Sequence, residues 1–524
     1  MMALNHMVKR FCKATVLILS FNMASSFAAT NDIEGQQMTV SVHQGEVQGK
    51  VNADVTSFYG IPYAHDPFTK ARRFKAPQAY EKWEGVLDAT KKTAPVPQPG
   101  REQTVELVGA AGDLTLNIWA PTAALQSNKQ LPVMVWIPGG AFIRADAGEE
   151  AYNGTSFAKN DTIVVTVNYR VGVDGFMHLD GAPDNRGILD QIAALQWVQK
   201  NIANFGGNPE NVTLFGQSAG AESVAILLGT DKVKGLFQQA IMQSPPMQFM
   251  TMEQADRVSQ TFAKELGVSA TISDISQIPL ETLVTEVIDI GNTIKNRDQW
   301  GMMSWGGTAF LPVADGDVIK ESPMRDLANN TDPAIPVIVG STDQEARLYY
   351  VPGGAIDQIP ATQRSQLLSD LSLNGASRDV YAPIKNEKSI GDSFADIQSD
   401  YTFRMPAVHI AEQLVNNGNK VWHYNFSWFS PAFDGKLGAA HFVDVPFTFN
   451  ALDSEQAKSF VGDQPSQKLA DTMHQNWIEF ARSGQASWDN YRLADRATMV
   501  FDIDSKIVND PERDVRVLWK DYSF

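Results

Sequence analysis

A chain of 524 residues, 43% apolar and 20% charged, can bury a large core and has the composition of a soluble globular enzyme. The 60 acidic side chains against 43 basic ones give a net charge of -17, and no Lys/Arg cluster is present, which excludes a partner bound through its phosphate backbone. No uninterrupted apolar run of membrane-spanning length follows the N-terminus, and a single cysteine, Cys12, excludes a disulfide framework and Cys-based metal sites.

The N-terminal segment reads as a secretory signal, with Lys9, Arg10 and Lys13 before the apolar Ala14 to Ser20 and small residues at Ser26-Phe27-Ala28-Ala29 for cleavage. Residues 1–29 are therefore expected to be removed. The mature chain would be exported, to the periplasm or the medium, without a thiol. Residues 30–524 read as one domain, since no linker, repeat or low-complexity tract divides them.

Three short runs predict antiparallel strands near the start: Thr39 to Val42, Glu46 to Gly49 and Thr56 to Tyr59, with Gly60-Ile61-Pro62-Tyr63-Ala64 closing the region. Leu114 to Trp119 is a further strand, stopped by Pro121. Leu131 to Ile137 and Thr162 to Asn168 are continuous apolar runs, the pattern of strands buried on both faces. Helical periodicity follows from Gly187 to Ala203, with Leu189, Ile192, Ala193, Leu195 and Val198 on its apolar side. Val212 to Phe215 and Ala240 to Gln243 return to strand, and residues from about 247 to 330 read as a mainly helical insertion. Ile335 to Val339, Lys420 to Phe426 and Thr498 to Phe501 supply the remaining strands. Helices are expected over about 365–417 and 468–482. Alternating buried strands and helices predict an α/β fold with a large, mostly parallel sheet.

The chemistry centres on Gly216-Gln217-Ser218-Ala219-Gly220, a Gly-x-Ser-x-Gly turn between a strand and a helix-compatible segment. The two glycines remove Cβ atoms that would collide at a sharp turn, leaving the Ser218 hydroxyl clear of the sheet and aiming a helix N-terminus at the reacting centre. A serine nucleophile needs a base, an acid to orient that base, and donors for the developing oxyanion. Of the eight histidines, His409, His423, His441 and His474 lie in the second half of the sheet region. His423 alternates within a strand and reads as structural, while His409 and His474 fall in helical pattern. His441, in the loop Gly435 to Phe442, stands where a catalytic base belongs.

With these residues in place, the chain resembles the type-B carboxylesterase (cholinesterase-like) family over nearly its whole mature length. The matching segments stand in family order: Phe58 to Ala64, Leu116 to Trp119, Val135 to Phe142, Asn168 to Arg170, Leu189 to Gln191, Phe205 to Asn208, Gly216 to Gly220, Gly340 to Glu345 and Gly438 to His441. The resemblance implies an α/β-hydrolase fold and a triad of Ser218, Glu345 and His441. It also implies an oxyanion hole of the Gly140, Ala141 and Ala219 N–H groups, and a scaffold ion pair between Arg170 and Asp190. Departures are visible as well. Cysteines common in the family near Val96 and Asp113 are absent together, Pro138 stands where many relatives carry His or Tyr, and Gln217 replaces the more frequent Glu. The aromatic that holds a quaternary ammonium in cholinesterases is missing between Gln98 and Leu116, which argues against choline esters.

The expected activity is hydrolysis of small-molecule carboxylic esters through an acyl-enzyme, with no cofactor and no metal. Two alternatives stand beside it: an amide or carbamate hydrolase using the same residues, and a non-catalytic binding or adhesion protein of the same fold. Met247, Phe249, Met250, Met252, Trp300, Met302, Met303 and Trp305 fall in or beside the insertion that shapes the family's acyl pocket, and read equally as pocket wall or as plain core.

Overall fold

The computed structural model describes residues 36–100, 106–127, 129–330, 332–373, 380–381 and 388–524. The signal expected over residues 1–29 lies outside the described residues. Thirteen strands form the main sheet. In chain order they are β1 (Gln37–Val42), β2 (Gly45–Asn52), β3 (Val55–Ala64), β4 (Val86–Asp88), β5 (Leu114–Pro121), β6 (Leu131–Ile137) and β7 (Ile163–Val167). They continue with β8 (Gly207–Gln217), β9 (Gln239–Gln243), β10 (Val337–Thr342), β11 (Val421–Phe426), β12 (Ala497–Phe501) and β13 (Lys506–Asn509). Their spatial order is β1-β2-β3-β5-β7-β6-β8-β9-β10-β11-β12-β13, with β4 beside β2. The stretch from β7 to β12 is parallel, and antiparallel pairings occupy both ends.

The apolar runs have the reason expected of them. Along β6, Val133, Val135 and Ile137 face one core while Met134 and Trp136 face the other. Ala240 and Met242 oppose Ile241 on β9 in the same way, and Val337 and Val339 oppose Ile338 on β10. A strand with helices on both faces must be apolar at every position, because its side chains alternate between two dry layers. One layer is covered by α1 (Arg186–Asn201) and α2 (Ala219–Gly229), the other by the later helix Gln467–Ser483. Trp136 anchors the second core against Phe215, Phe449 and Tyr152 at ring separations of 4.8, 5.0 and 5.1 Å.

Several expectations shift. The third strand does not end at Gly60: β3 runs on to Ala64, absorbing Gly60 and Pro62 through two register irregularities against β5. The sheet also gains β13 after the last expected strand, and a closing helix, Arg513–Trp519. The insertion is helical at Met252–Glu265 and Leu280–Ile294, as expected, but carries a two-stranded ribbon joining Met250–Thr251 to Val313–Ala314. The helical region near 390–416 contains a π-turn, Asp400–Arg404, between Ile390–Ser399 and Met405–Asn416. Among the described residues no helix is long and apolar enough to cross a membrane.

Arg170 and Asp190 form the scaffold pair. Both are fully buried, with Nη2–Oδ1 and Nε–Oδ2 contacts of 2.6 and 2.8 Å, and the Arg170 main-chain N–H also donates to Oδ2. Asp315 is the turn cap that its Asp-Gly-Asp setting predicts, its Oδ1 accepting from the N–H groups of Asp317, Val318 and Ile319.

Candidate active site

Chain direction reverses between β6 and β8. From β6 the chain moves outward to β7, whereas from β8 it moves the other way to β9. Crevices at such a switch, beyond the carboxyl ends of parallel strands, are where α/β sheets place ligands. The Gly139-Gly140 strap follows β6 and Ser218 follows β8, so the two flank this crevice.

Ser218 has φ 57° and ψ -130°, a conformation foreign to L-residues, and it immediately precedes α2. The neighbouring chain holds it there: its N–H donates to the Gln243 carbonyl and its carbonyl accepts from Glu222, both at 2.9 Å. The reason for the flanking glycines is direct. A Cβ on Gly216 would lie 2.5 Å from the Gly220 carbonyl carbon, and one on Gly220 would lie 2.0 Å from the Ile137 oxygen. The nucleophile turn closes only because both are hydrogen. Among the described residues the Ser218 hydroxyl has no hydrogen-bond partner, and it opens on a cavity.

His441 arrives from the opposite side, in the loop after β11. Its Nδ1 meets Glu345 Oε2 at 2.5 Å, and its main-chain N–H donates to the Glu345 carbonyl at 3.1 Å. The other Glu345 oxygen accepts from the Thr342 N–H at 2.7 Å, so this fully buried carboxylate has both oxygens engaged. A carboxylate opposite Nδ1 accepts a hydrogen bond from the ring N–H and so keeps the proton on Nδ1, which leaves the Nε2 lone pair for other work. Asp343, the other acid of this loop, accepts from Asn425 at 2.5 Å and faces the Arg404 charge instead of the histidine. Burial pushes its carboxyl up, with Arg404 working against that shift.

Gly140 (φ 128°) and Ala141 (φ 54°) carry the strap past Ser218. A Cβ on Gly139 would come 2.6 Å from the Gln217 carbonyl oxygen, and one on Gly140 2.3 Å from the Arg144 oxygen. The N–H groups of Gly140, Ala141 and Ala219 donate to no protein acceptor among the described residues, whereas those of Ile143 and Arg144, further along the strap, both donate to the Gly140 carbonyl. Three free donors beside one hydroxyl suit a developing negative charge.

Ser218, Gly139, Gly140, Ala141, Gln217 and His441 line one cavity of about 640 Å³, whose further wall mixes the aromatic Tyr152, Tyr349, Phe442 and Phe460 with the charged Arg144, Asp146 and Glu149. None of the eight insertion residues considered for a pocket wall lines it. Met247, Met250 and Trp300 are buried in the first core, and Met252 is exposed. Met247 lies in irregular chain, Met250 in the two-stranded ribbon and Trp300 at the end of a four-residue helix, and all three side chains join the layer that covers the sheet, which is where such residues go by default.

Three residues make contacts at the site that the sequence does not give, although Gln217 stands there as a departure beside the nucleophile. Gln217 Nε2 lies 2.9 Å from His441 Nε2. Phe403 packs on the imidazole at a tilt of 33°, with ring centroids 4.3 Å apart, presented by the π-turn. Asp444, buried behind the histidine, accepts from Gln243 at 2.9 Å and Tyr424 at 3.1 Å, and burial pushes its carboxyl up to about 6. Gln217, beside the nucleophile, and Asp444, three residues past His441, had a positional signal, and Phe403 had none. Glu222 on α2 is also fully buried, loosely supported by the Gln248 main chain, and burial pushes its carboxyl well up. The other three histidines of the second half are structural. Burial lowers His423 to about 4 beside Thr498, His474 packs on Phe157, and His409 packs on Phe524.

Residues 36–515 match the model of the carboxylesterase family. The para-nitrobenzyl esterase of Bacillus subtilis (strain 168) is 36% identical over 497 residues, covering 91% of this chain and 97% of that protein. The phenmedipham hydrolase of Pseudarthrobacter oxydans is 31% identical over 475 residues, covering 87% and 93%. Among solved structures, a Geobacillus stearothermophilus carboxylesterase superposes with a TM-score of 0.81 at 31% identity, covering 92% of this chain and 99% of that one. The chain belongs to the carboxylesterase family, has the α/β-hydrolase fold, and is a carboxylic ester hydrolase.

Proposed function

We propose that this esterase works through Ser218 as nucleophile, His441 as general base and acid, and Glu345 as the group that orients the imidazole. The observation that carries this reading is one cavity lined by both Ser218 and His441, with the far nitrogen of the ring fixed on a buried carboxylate. His441 Nε2 takes the Ser218 proton as Oγ attacks the ester carbonyl. The carbonyl oxygen becomes an oxyanion facing the N–H groups of Gly140, Ala141 and Ala219. Collapse expels the alcohol, protonated by the imidazolium, and leaves an acyl group on Ser218. Water, deprotonated by the same nitrogen, then releases the carboxylic acid. Glu345 stays ionised throughout and offsets the imidazolium charge.

The four aromatic side chains of the cavity suit esters with apolar or aromatic groups, and aryl-bearing esters such as para-nitrobenzyl esters are the first to test. An organophosphonate probe is expected to add to Ser218 and block turnover of such esters, and Ser218→Ala to lose both labelling and turnover. Mapping of the adduct to another serine, or full turnover in the alanine variant, overturns the assignment.

A further inference from the structure

In this structure the partner of His441 Nε2 is the Gln217 side chain. The 2.9 Å contact joins the amide nitrogen to the ring nitrogen. Glu345 holds the Nδ1 proton, so Nε2 of the neutral ring is an acceptor and the Gln217 amide donates to it. The same lone pair must take the Ser218 proton in the reaction proposed above, on which the present inference rests. Gln217 is 2% exposed and ends β8, in register with Gln243 of β9. The Gly139 turn packs directly against it: a Cβ there would lie 3.1 Å from Gln217 Oε1. The carboxamide is therefore walled in beside the imidazole and is no mobile surface group.

We propose that Gln217 is a positioning residue that keeps His441 in its neutral, base-competent form in the free enzyme, and so extends esterase activity toward lower pH. The argument turns on what each side chain can do at this spot. An amide N–H bonded to Nε2 stabilises the neutral ring alone, because the imidazolium has no lone pair there. A carboxamide can also turn end for end and offer Oε1 to the imidazolium once Ser218 has given up its proton. A carboxylate can only accept. At this distance it would favour the imidazolium before substrate arrives, when a protonated ring cannot act as a base. Other charged or titratable groups facing the ring are Glu345 on Nδ1, Asp444 behind it, and Tyr349 at 5.9 Å between ring centroids, with Arg144, Asp146 and Glu149 across the cavity. All of these groups are present in the parent and in both Gln217 variants alike.

Two variants read the effect. In Gln217→Glu the acid limb of the kcat/KM profile should move to higher pH by about one unit or more. In Gln217→Met, which keeps the length of the side chain but cannot donate, the limb should move the same way by less. Histidine-selective ¹⁵N spectra separate the partners: the His441 Nε2 signal should change in Gln217→Met and stay near the parent's in Ser218→Ala. Acid limbs that coincide with the parent's in both variants overturn the proposal. So does an Nε2 signal that responds to Ser218→Ala and is indifferent to Gln217→Met. Loss of turnover in Ser218→Ala alongside unchanged Gln217 profiles refutes this inference alone. Full turnover in Ser218→Ala refutes the underlying mechanism instead.

Discussion

The two acids after β10 differ in everything except proximity. Glu345 has one oxygen on the His441 ring and the other on the Thr342 N–H, whereas Asp343 is tied to Asn425 and the Arg404 cluster. In the proposed mechanism only Glu345 fixes the tautomer of the base and balances the imidazolium. Glu345→Gln is expected to fold and to lose turnover by roughly 10⁴-fold, the usual cost of a triad acid. Asp343→Asn, which keeps an acceptor for Asn425, should lose far less. Steady-state kinetics on the two purified proteins checks the order, and the reverse order would make Asp343 the orienting acid. Gln217 makes the complementary point. A residue next to the nucleophile in sequence acts, in the fold, on a histidine that follows it by more than two hundred positions.

At the scale of elements, the site is a junction of four loops that leave the carboxyl ends of parallel strands. The strap after β6, the turn after β8 and the loops after β10 and β11 approach so closely that side chains would keep them apart. Gly220→Ala puts a methyl group 2.0 Å from the Ile137 oxygen, a backbone atom that cannot rotate away. Moving α2 off β6 should cost about 1–3 kcal/mol or more, as overpacking of a tight core does. Gly353→Ala is the matched control, because a Cβ there meets nothing within 4 Å, and it should stay within roughly 0.5 kcal/mol of the parent. Thermal or denaturant melts of the pair test this. A Gly220→Ala protein as stable as the parent would mean that the turn is looser than drawn. The π-turn Asp400–Arg404 is a second such element, since it brings Phe403 over the imidazole while Arg404 stays paired with Asp400 and Glu512.

For the whole molecule, export remains a proposal read from the first 29 residues. The only cysteine, Cys12, lies within them, so the mature enzyme would need neither a disulfide nor a reducing environment. Intact mass of protein recovered from the periplasm or medium should show loss of about 28 or 29 residues. A full-length product retained in the cytoplasm would remove the idea. The -17 net charge bears on solubility and on which ligands approach, and has no part in specifying the fold.

The sequence by itself determined the fold class and the candidate residues of the site. Continuous apolar runs such as Leu131 to Ile137 announce strands buried on both faces, because that burial constrains every position. The Gly-x-Ser-x-Gly turn announces itself because the close approach of backbones admits no other residues. His441 and Glu345 were legible through chain order and the segments shared with the carboxylesterases. Only the tertiary structure decided what these groups touch. It gave Nδ1 to Glu345 and Nε2 to Gln217, set Phe403 on the ring, and consigned Met247, Met250 and Trp300 to the core, away from the cavity. It also carried β3 through Gly60 and Pro62, where local turn chemistry pointed to an end, because pairing with β5 satisfies the backbone beyond the irregularity. The division has one physical cause. Periodicity and turn chemistry are local constraints written into neighbouring residues, whereas a hydrogen bond or ring contact between distant residues exists only once the sheet has brought their loops together.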